Sequence, residues 1–241
     1  MNLLSYRRNN YSQNGEDGVL EVIFQKIAKT LPKEKWCVEF GAWDGKYLSN
    51  TFNLVQQGWK AVYIEGDPEK YQDLLETSKK WKDIYPLHAY VGYKKEDQNK
   101  LDNLLKNTAI PNDYELLSID IDSFDLDVWE AYSGMPKVVV IEIDSNLKPG
   151  IYNRYNIGSK NGNSFSSTIL VAKKKGYELV CHTGNLIFIR KDLIDKIGLD
   201  KRYKENPDLL FLDNNTIFLK IIRKFPKSFK EFFKRIFRYP F

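Results

Sequence analysis

This chain has no apolar run approaching the roughly 18 residues that span a bilayer, so nothing in it reads as a transmembrane helix. No leader pattern opens it either. Met1-Asn2-Leu3-Leu4-Ser5-Tyr6 passes at once into Arg7-Arg8-Asn9-Asn10, and a secretory signal is not expected. Only two cysteines occur, Cys37 and Cys181. Both fall in strand-like segments without metal-ligand spacing, so they read as core thiols of a reducing, cytoplasmic compartment. No internal repeat is visible, and the G-x-G-x-x-G fingerprint is missing. With 241 residues there is room for one large domain and little for a second.

Positive charge is also scarce over most of the chain. The net charge is +5, yet the segment 217–241 alone holds eight basic residues against Glu231. The body, 1–216, is therefore slightly acidic and the basicity belongs to the tail. A nucleic-acid binder would spread positive charge along a groove of the folded body, so nucleic acid is not expected as a partner. Phe225, Phe229, Phe232, Phe233, Ile236 and Phe237 alternate with the tail's lysines and arginines. That is an amphipathic basic helix. It suits peripheral attachment to an anionic inner membrane face or to a partner protein, or packing on the body.

What is present is a βαβ pattern. Val38-Glu39-Phe40-Gly41-Ala42-Trp43-Asp44-Gly45 ends an apolar run in a glycine turn, and Ala61-Val62-Tyr63-Ile64-Glu65-Gly66 ends a second run in a carboxylate. Glycines let backbone approach a cofactor, and a carboxylate 20 residues beyond Gly45 can accept bonds from ribose hydroxyls. Without the dinucleotide spacing, this loop argues for S-adenosylmethionine.

Further along, a helix is expected over 12–29, another over 47–57 closed by Gly58, and one opened by Pro68. Strands are expected at 84–91, 115–120 and 137–143. The last is an unbroken β-branched run, as in a parallel strand buried on both faces. Short helices fall near 97–106, 127–132 and 167–175. Two strands, 177–181 and 186–190, are joined as a hairpin through His182-Thr183-Gly184-Asn185. Five β/α units and a hairpin make an α/β, Rossmann-like, seven-stranded, mostly parallel sheet of the class I methyltransferase kind. The polar segment 145–166 is long enough to have a function.

These blocks resemble the FkbM-type methyltransferases. Tyr11-Ser12-Gln13-Asn14-Gly15-Glu16-Asp17 looks like that family's opening signature, and the glycine loop with Ser49-Asn50-Thr51 is similar too. So are Gly58-Trp59-Lys60, Ile64-Glu65-Gly66, Leu117-Ser118-Ile119-Asp120-Ile121-Asp122, Val140-Ile141-Glu142 and Lys174-Lys175-Gly176-Tyr177-Glu178-Leu179. Ser123 and Asp144 depart from the pattern, both where the acceptor should lie. The resemblance covers roughly 11–193. It implies methyl transfer from S-adenosylmethionine, commonly to a hydroxyl of a sugar or secondary metabolite.

The expected cofactor contacts are Gln13, Glu16, Glu39, Gly41, Ala42, Asp44, Gly45, Asn50, Glu65, Gly66, Tyr90, Val91 and Asp120. Gln13, Glu16 and Asp17 could equally serve the dipole of the helix they open. Ser49 or Asn50 could instead cap the following helix. Asp120, Asp122 and Glu142 gather carboxylates at the carboxyl edge of the sheet. Such a group can supply a base of raised pKa or oxygen ligands for a divalent metal such as Mg²⁺. His182 is a second candidate base, or a polar turn residue. Asp125, Asp144, Tyr152, Arg154 and Tyr155 suit a polar, ring-shaped acceptor: a sugar nucleotide or a surface-polysaccharide precursor. Two rivals stand beside this carbohydrate O-methyltransferase. One is a nicotinamide-dependent oxidoreductase, disfavoured by the glycine spacing. The other is a non-catalytic scaffold, disfavoured by the acidic cluster.

Overall fold

The computed structural model describes residues 1–213. Seven strands form one sheet: β1 (Trp36–Phe40), β2 (Lys60–Glu65), β3 (Ile84–His88), β4 (Leu116–Ile119), β5 (Val138–Glu142), β6 (Tyr177–His182) and β7 (Asn185–Arg190). Their spatial order is β3-β2-β1-β4-β5-β7-β6. The first five are mutually parallel, and β7 runs antiparallel between β5 and β6. The β-branched run of β5 lies fully buried, as a strand covered on both faces requires. Val138 and Val140 pack with Leu20, Ile23 and Ile187 on one face. Val139 and Ile141 pack with Leu126, Trp129 and Ile169 on the other. Pro86 sits in β3, the edge strand, where a missing ladder donor is tolerated.

Among the described residues, eight α-helices accompany this sheet: α1 (Glu16–Lys26), α2 (Phe52–Val55), α3 (Pro68–Lys80), α4 (Leu101–Lys106), α5 (Asp125–Ala131), α6 (Phe165–Lys174), α7 (Ile194–Ile197) and α8 (Lys201–Glu205). Pro68 and Gly58 act as the sequence suggests. Pro68 opens α3 behind an Asp67 cap, and Gly58 turns left-handed after α2.

Three helices are shorter than their patterns, α4 beginning only at Leu101. α1 starts at Glu16 because Gly15 is left-handed and the Asp17 carboxylate holds the backbone of Asn10, Tyr11 and Ser12 in a loop. The segment 47–51 stays outside α2. Leu48 takes φ +56°, and the Ser49 hydroxyl accepts from the Thr51 and Phe52 N–H groups. The hairpin turn is tighter than expected, since His182 and Asn185 belong to the strands.

Cys37 and Cys181 are buried and not joined in a disulfide. No described helix is long and apolar enough to cross a membrane. The basic tail inferred from the sequence lies outside the described residues, apart from its approach. There the Leu212 N–H donates to His182 Nδ1 at 2.8 Å.

Candidate active site

In this strand order, the chain reverses direction across the sheet between β1 and β4. Open α/β sheets bind ligands outside that point. Both neighbours contribute there. The glycine loop after β1 is held by Gly41 and Ala42 N–H groups donating to Ile64 O at 3.1 and 3.2 Å. Gly41 (φ +73°) is required twice over. Its backbone is left-handed, and an added Cβ would lie 1.9 Å from the Asp120 carbonyl oxygen. Gly45 (φ +76°) closes the loop against Leu74 and Tyr63.

Glu39 departs from its expected role. It is buried, accepting from the Ser49 and Thr51 hydroxyls at 2.6 Å each and from the Asn50 N–H at 2.9 Å. Burial raises its pKa. Glu39 thus clamps the loop from behind rather than facing a ligand. Asn50 donates to Ser118 Oγ at 3.1 Å, and its buried Oδ1 has no partner. Asp44 accepts from the Lys46 and Tyr47 N–H groups and lines an outer recess with Asp73 and Glu76 of α3.

At the tip of β2, Glu65 accepts one N–H on each oxygen, from Trp43 and from Asp67, both at 2.8 Å. A carboxylate oxygen takes two bonds, so each keeps one acceptor position. The Tyr90 ring lies directly over Gly66, where a Cβ would come within 2.4 Å of it, and Tyr90 is 70% exposed. Val91 is half-buried and packs against the core.

The chemical centre is carboxylate. One oxygen from each of Asp120, Asp122 and Glu142 lies within 4.8 Å of the others. Asp120 and Glu142 are hydrogen-bonded to one another, and both pKa values are raised, first by burial and then by the neighbouring negative charges. One shared proton relieves that crowding, and a divalent cation on the three groups would do the same. Asp122 is held at φ +56°. Asp125 lines the cavity beside this cluster, but its carboxylate is already committed. It is buried and accepts from the Ile121 and Ser123 N–H groups at 2.8 and 2.9 Å, so it shapes the loop that carries Asp120 and Asp122.

Beside this cluster lies a cavity of about 600 Å³. Gln13 from the N-terminal arm, Asp144, Tyr155 and Lys160 from the long loop, and Asn185 from β7 all line it. The loop's buried Asn163 donates to Ser123 O and accepts from Tyr155 N–H, tying the loop to the β4 turn.

Four further expectations are corrected. Glu16 is wholly buried and accepts from Thr183 Oγ1 (2.6 Å) and Asn14 N (2.8 Å), so it pins the arm to the hairpin. Arg154 turns away to pair with Asp127 and Glu130 of α5 at 2.9 and 2.6 Å. Tyr152 stands 70% exposed, outside the residues lining the cavity. His182 is buried, with Nδ1 accepting from Leu212 and Nε2 at 3.0 Å from Ser145 Oγ. The Nδ1 contact assigns the proton to Nε2. Burial lowers its pKa to about 4, so this neutral ring orders the wall of the cavity instead of accepting protons.

Sequence reasoning passed over Ser145, Lys160, Asn163 and Asn185 as individuals, although the loop's length and polarity marked their segment. It also missed Tyr93 and Phe124, which stack at 3.8 Å from two separate loops. No local signal pairs those two.

Neither protein-family models nor curated protein sequences match this chain. Among solved structures, it is similar to the CcbJ methyltransferase from Streptomyces caelestis, with 10% identity over 70% of this chain and 89% of that one, at a TM-score of 0.43. It is also similar to the N-terminal domain of EvdMO1 in the presence of SAH and D-fucose, with 12% identity over 77% and 90%, at a TM-score of 0.41. A third similar structure is the precorrin-6y C5,15-methyltransferase from Geobacter metallireducens, with 12% identity over 76% and 92%, at a TM-score of 0.42. Likeness at this level does not assign an activity, which has to come from the residues. The strand order, with its single antiparallel strand β7 inserted between β5 and β6, gives the chain the Rossmann-like fold of class I methyltransferases.

Proposed function

We propose that this chain is an S-adenosylmethionine-dependent methyltransferase of the FkbM type, acting on a hydroxyl of a carbohydrate. The observation that carries the reading is the half-buried, hydrogen-bonded Asp120–Glu142 pair set against the Gly41 loop at the β1/β4 reversal.

The residues fit the cofactor. Gly41 lets the loop close directly on the end of β4, Asn50 Oδ1 is a buried acceptor without a partner, and Glu65 has acceptor capacity left. The glycine loop would hold the methionine end, Glu65 the ribose hydroxyls and Tyr90 the adenine. When bound, the cofactor supplies an electrophilic methyl group.

The chain's own task is then to orient the acceptor and remove its proton. A sugar hydroxyl is a weak acid, and a base works best when its pKa lies near the working pH. Asp120 meets that need. The pair shares a proton, and burial and mutual repulsion raise its titration above the ordinary carboxylate range, which makes its ionised member a stronger base than an exposed carboxylate. Gln13, Asp144, Tyr155 and Asn185 line the acceptor's cavity with hydrogen-bonding groups.

The test is incubation with labelled S-adenosylmethionine and a panel of free sugars, glycans and sugar nucleotides, with and without EDTA. Label transfer to a sugar hydroxyl supports the reading. Transfer to none of them, by protein that binds S-adenosylhomocysteine, removes the carbohydrate part. A second reading keeps the reaction but places a divalent cation on Asp120, Asp122 and Glu142, favoured by their mutual approach. Turnover abolished by EDTA and restored by Mg²⁺ would select it.

The proposal extends to the tail as an attachment element for an anionic surface or a membrane-bound partner, with the enzyme at the cytoplasmic face. Its basis is the charge of 217–241. Full-length protein should sediment with anionic vesicles at low salt and release at high salt. A chain ending at Asp213 should not sediment with them.

A further inference from the structure

The acceptor site continues past its own cavity. Tyr155 lines the cavity of Asp122, Glu142 and Asp144, and it also lines a second recess of about 490 Å³. Aromatic rings wall that recess. Tyr93 and Phe124 stack 3.8 Å apart and 5° from parallel, and Tyr155 meets Phe124 edge-on at 5.0 Å. All three are half-buried, so they keep accessible surface. Beside them stand Arg154 and Asn156. Two of the five guanidinium N–H donors of Arg154 are engaged by Glu130 and Asp127, which leaves others for hydroxyl groups. Apolar ring faces beside fixed polar groups match a sugar ring, which has a C–H face and a rim of hydroxyls.

The charges narrow the ligand further. In the first cavity the charged side chains are Asp122, Asp125, Glu142 and Asp144 against Lys160 alone. In the second, Arg154 is neutralised by its two carboxylate partners. Among the described residues lining either space, there is no cluster of uncommitted cations such as a diphosphate requires. We infer that the acceptor is an uncharged glycan of at least two rings, with the reacting ring in the carboxylate-lined cavity and the next ring in the Tyr93–Phe124–Tyr155 recess. This rests on the methyl-transfer reading and excludes the sugar-nucleotide form of it.

The test compares kcat/KM for methyl glycosides, di- and trisaccharides of several configurations, and their nucleoside-diphosphate sugars, all with full-length protein. A disaccharide should exceed its methyl glycoside by roughly three- to tenfold, the scale of one aromatic contact. The corresponding sugar nucleotide should be the poorest of the three. Tyr93→Leu should return the disaccharide-to-monosaccharide ratio toward one, through KM, with S-adenosylhomocysteine affinity retained. If that variant does not fold, Asn156→Ala, which alters an exposed side chain, makes the same comparison with a smaller expected drop. Equal use of one ring and two overturns the inference while leaving methyl transfer standing. So does preference for the sugar nucleotide, or a folded Tyr93→Leu that keeps the full ratio. Failure to methylate any sugar removes the carbohydrate reading beneath it as well.

Discussion

The two halves of the carboxyl edge are built in opposite ways. On the β1–β2 side almost every polar group is committed inside the protein. Glu39 carries three donors, Glu65 two and Asp44 two. On the β4–β5 side, carboxylates crowd one another and face a cavity with few fixed partners. The first half spends its hydrogen bonds on holding a backbone shape. The second holds polar groups in reserve for a ligand and pays in raised carboxyl pKa values. A cofactor of constant structure suits a rigid cradle, and an acceptor whose proton must be moved suits groups poised to titrate.

The largest expected break of this contrast is Gly41→Val. It forces a left-handed β-branched residue and drives Cβ into the Asp120 carbonyl. Both halves should fail together, with folding weakened by about 2–4 kcal/mol. A thermal melt and a turnover assay check this, and a stable, active variant would refute the close approach.

Asp120→Asn separates the halves. It should lose at least about 100-fold in kcat while S-adenosylhomocysteine still binds by calorimetry. Wild-type turnover would remove Asp120 as the base. Glu65→Ala is the converse, weakening cofactor binding by about 1.5–3 kcal/mol, the scale of hydrogen bonds to a charged group. Unchanged affinity would show that Glu65 serves only the Trp43 and Asp67 backbone.

The smallest effect is on stability against pH. Asp120 and Glu142 titrate above the usual carboxylate range, chiefly through burial. Their contribution is fully present below the unfolded-state value of about 4. It is lost as pH rises through the raised folded-state values. The melting temperature should therefore fall from pH 5 toward pH 9. Glu142→Gln should flatten that fall by about 1–2 kcal/mol. An identical slope in the variant would mean that the pair does not share a proton.

The sequence made the rigid half more legible than the reactive one. Strands β1, β2 and β5 are short apolar runs bounded by glycine or acidic residues, and the turn at Gly41 needs glycine for reasons local to the chain. The β4–β5 half depends on distant partners. Arg154 lines the outer recess instead of the first cavity because Asp127 and Glu130 meet it from α5, which nothing local shows. His182 looked like turn surface because its burial depends on Phe165, Phe211 and the Leu212 backbone. Glu39 was misread for a subtler reason. A carboxylate at a strand end suits either a ligand or a loop, and the hydroxyls of Ser49 and Thr51 decide between them. α7 and α8, at four and five residues, are too short to show a helical period.

The hydrogen that Gly41 carries in place of a side chain has one more consequence. With no clearance between it and the Asp120 carbonyl, the glycine loop and the end of β4 are geared together, and neither can shift without moving the other. Diversification of the enzyme is thereby channelled. On the proposed reading, new acceptors cannot be reached by re-aiming Asp120, since that would disengage the glycine loop. They have to come from exchanging the segment between β5 and α6, which meets the turn after β4 through Asn163 and the Tyr155–Phe124 contact.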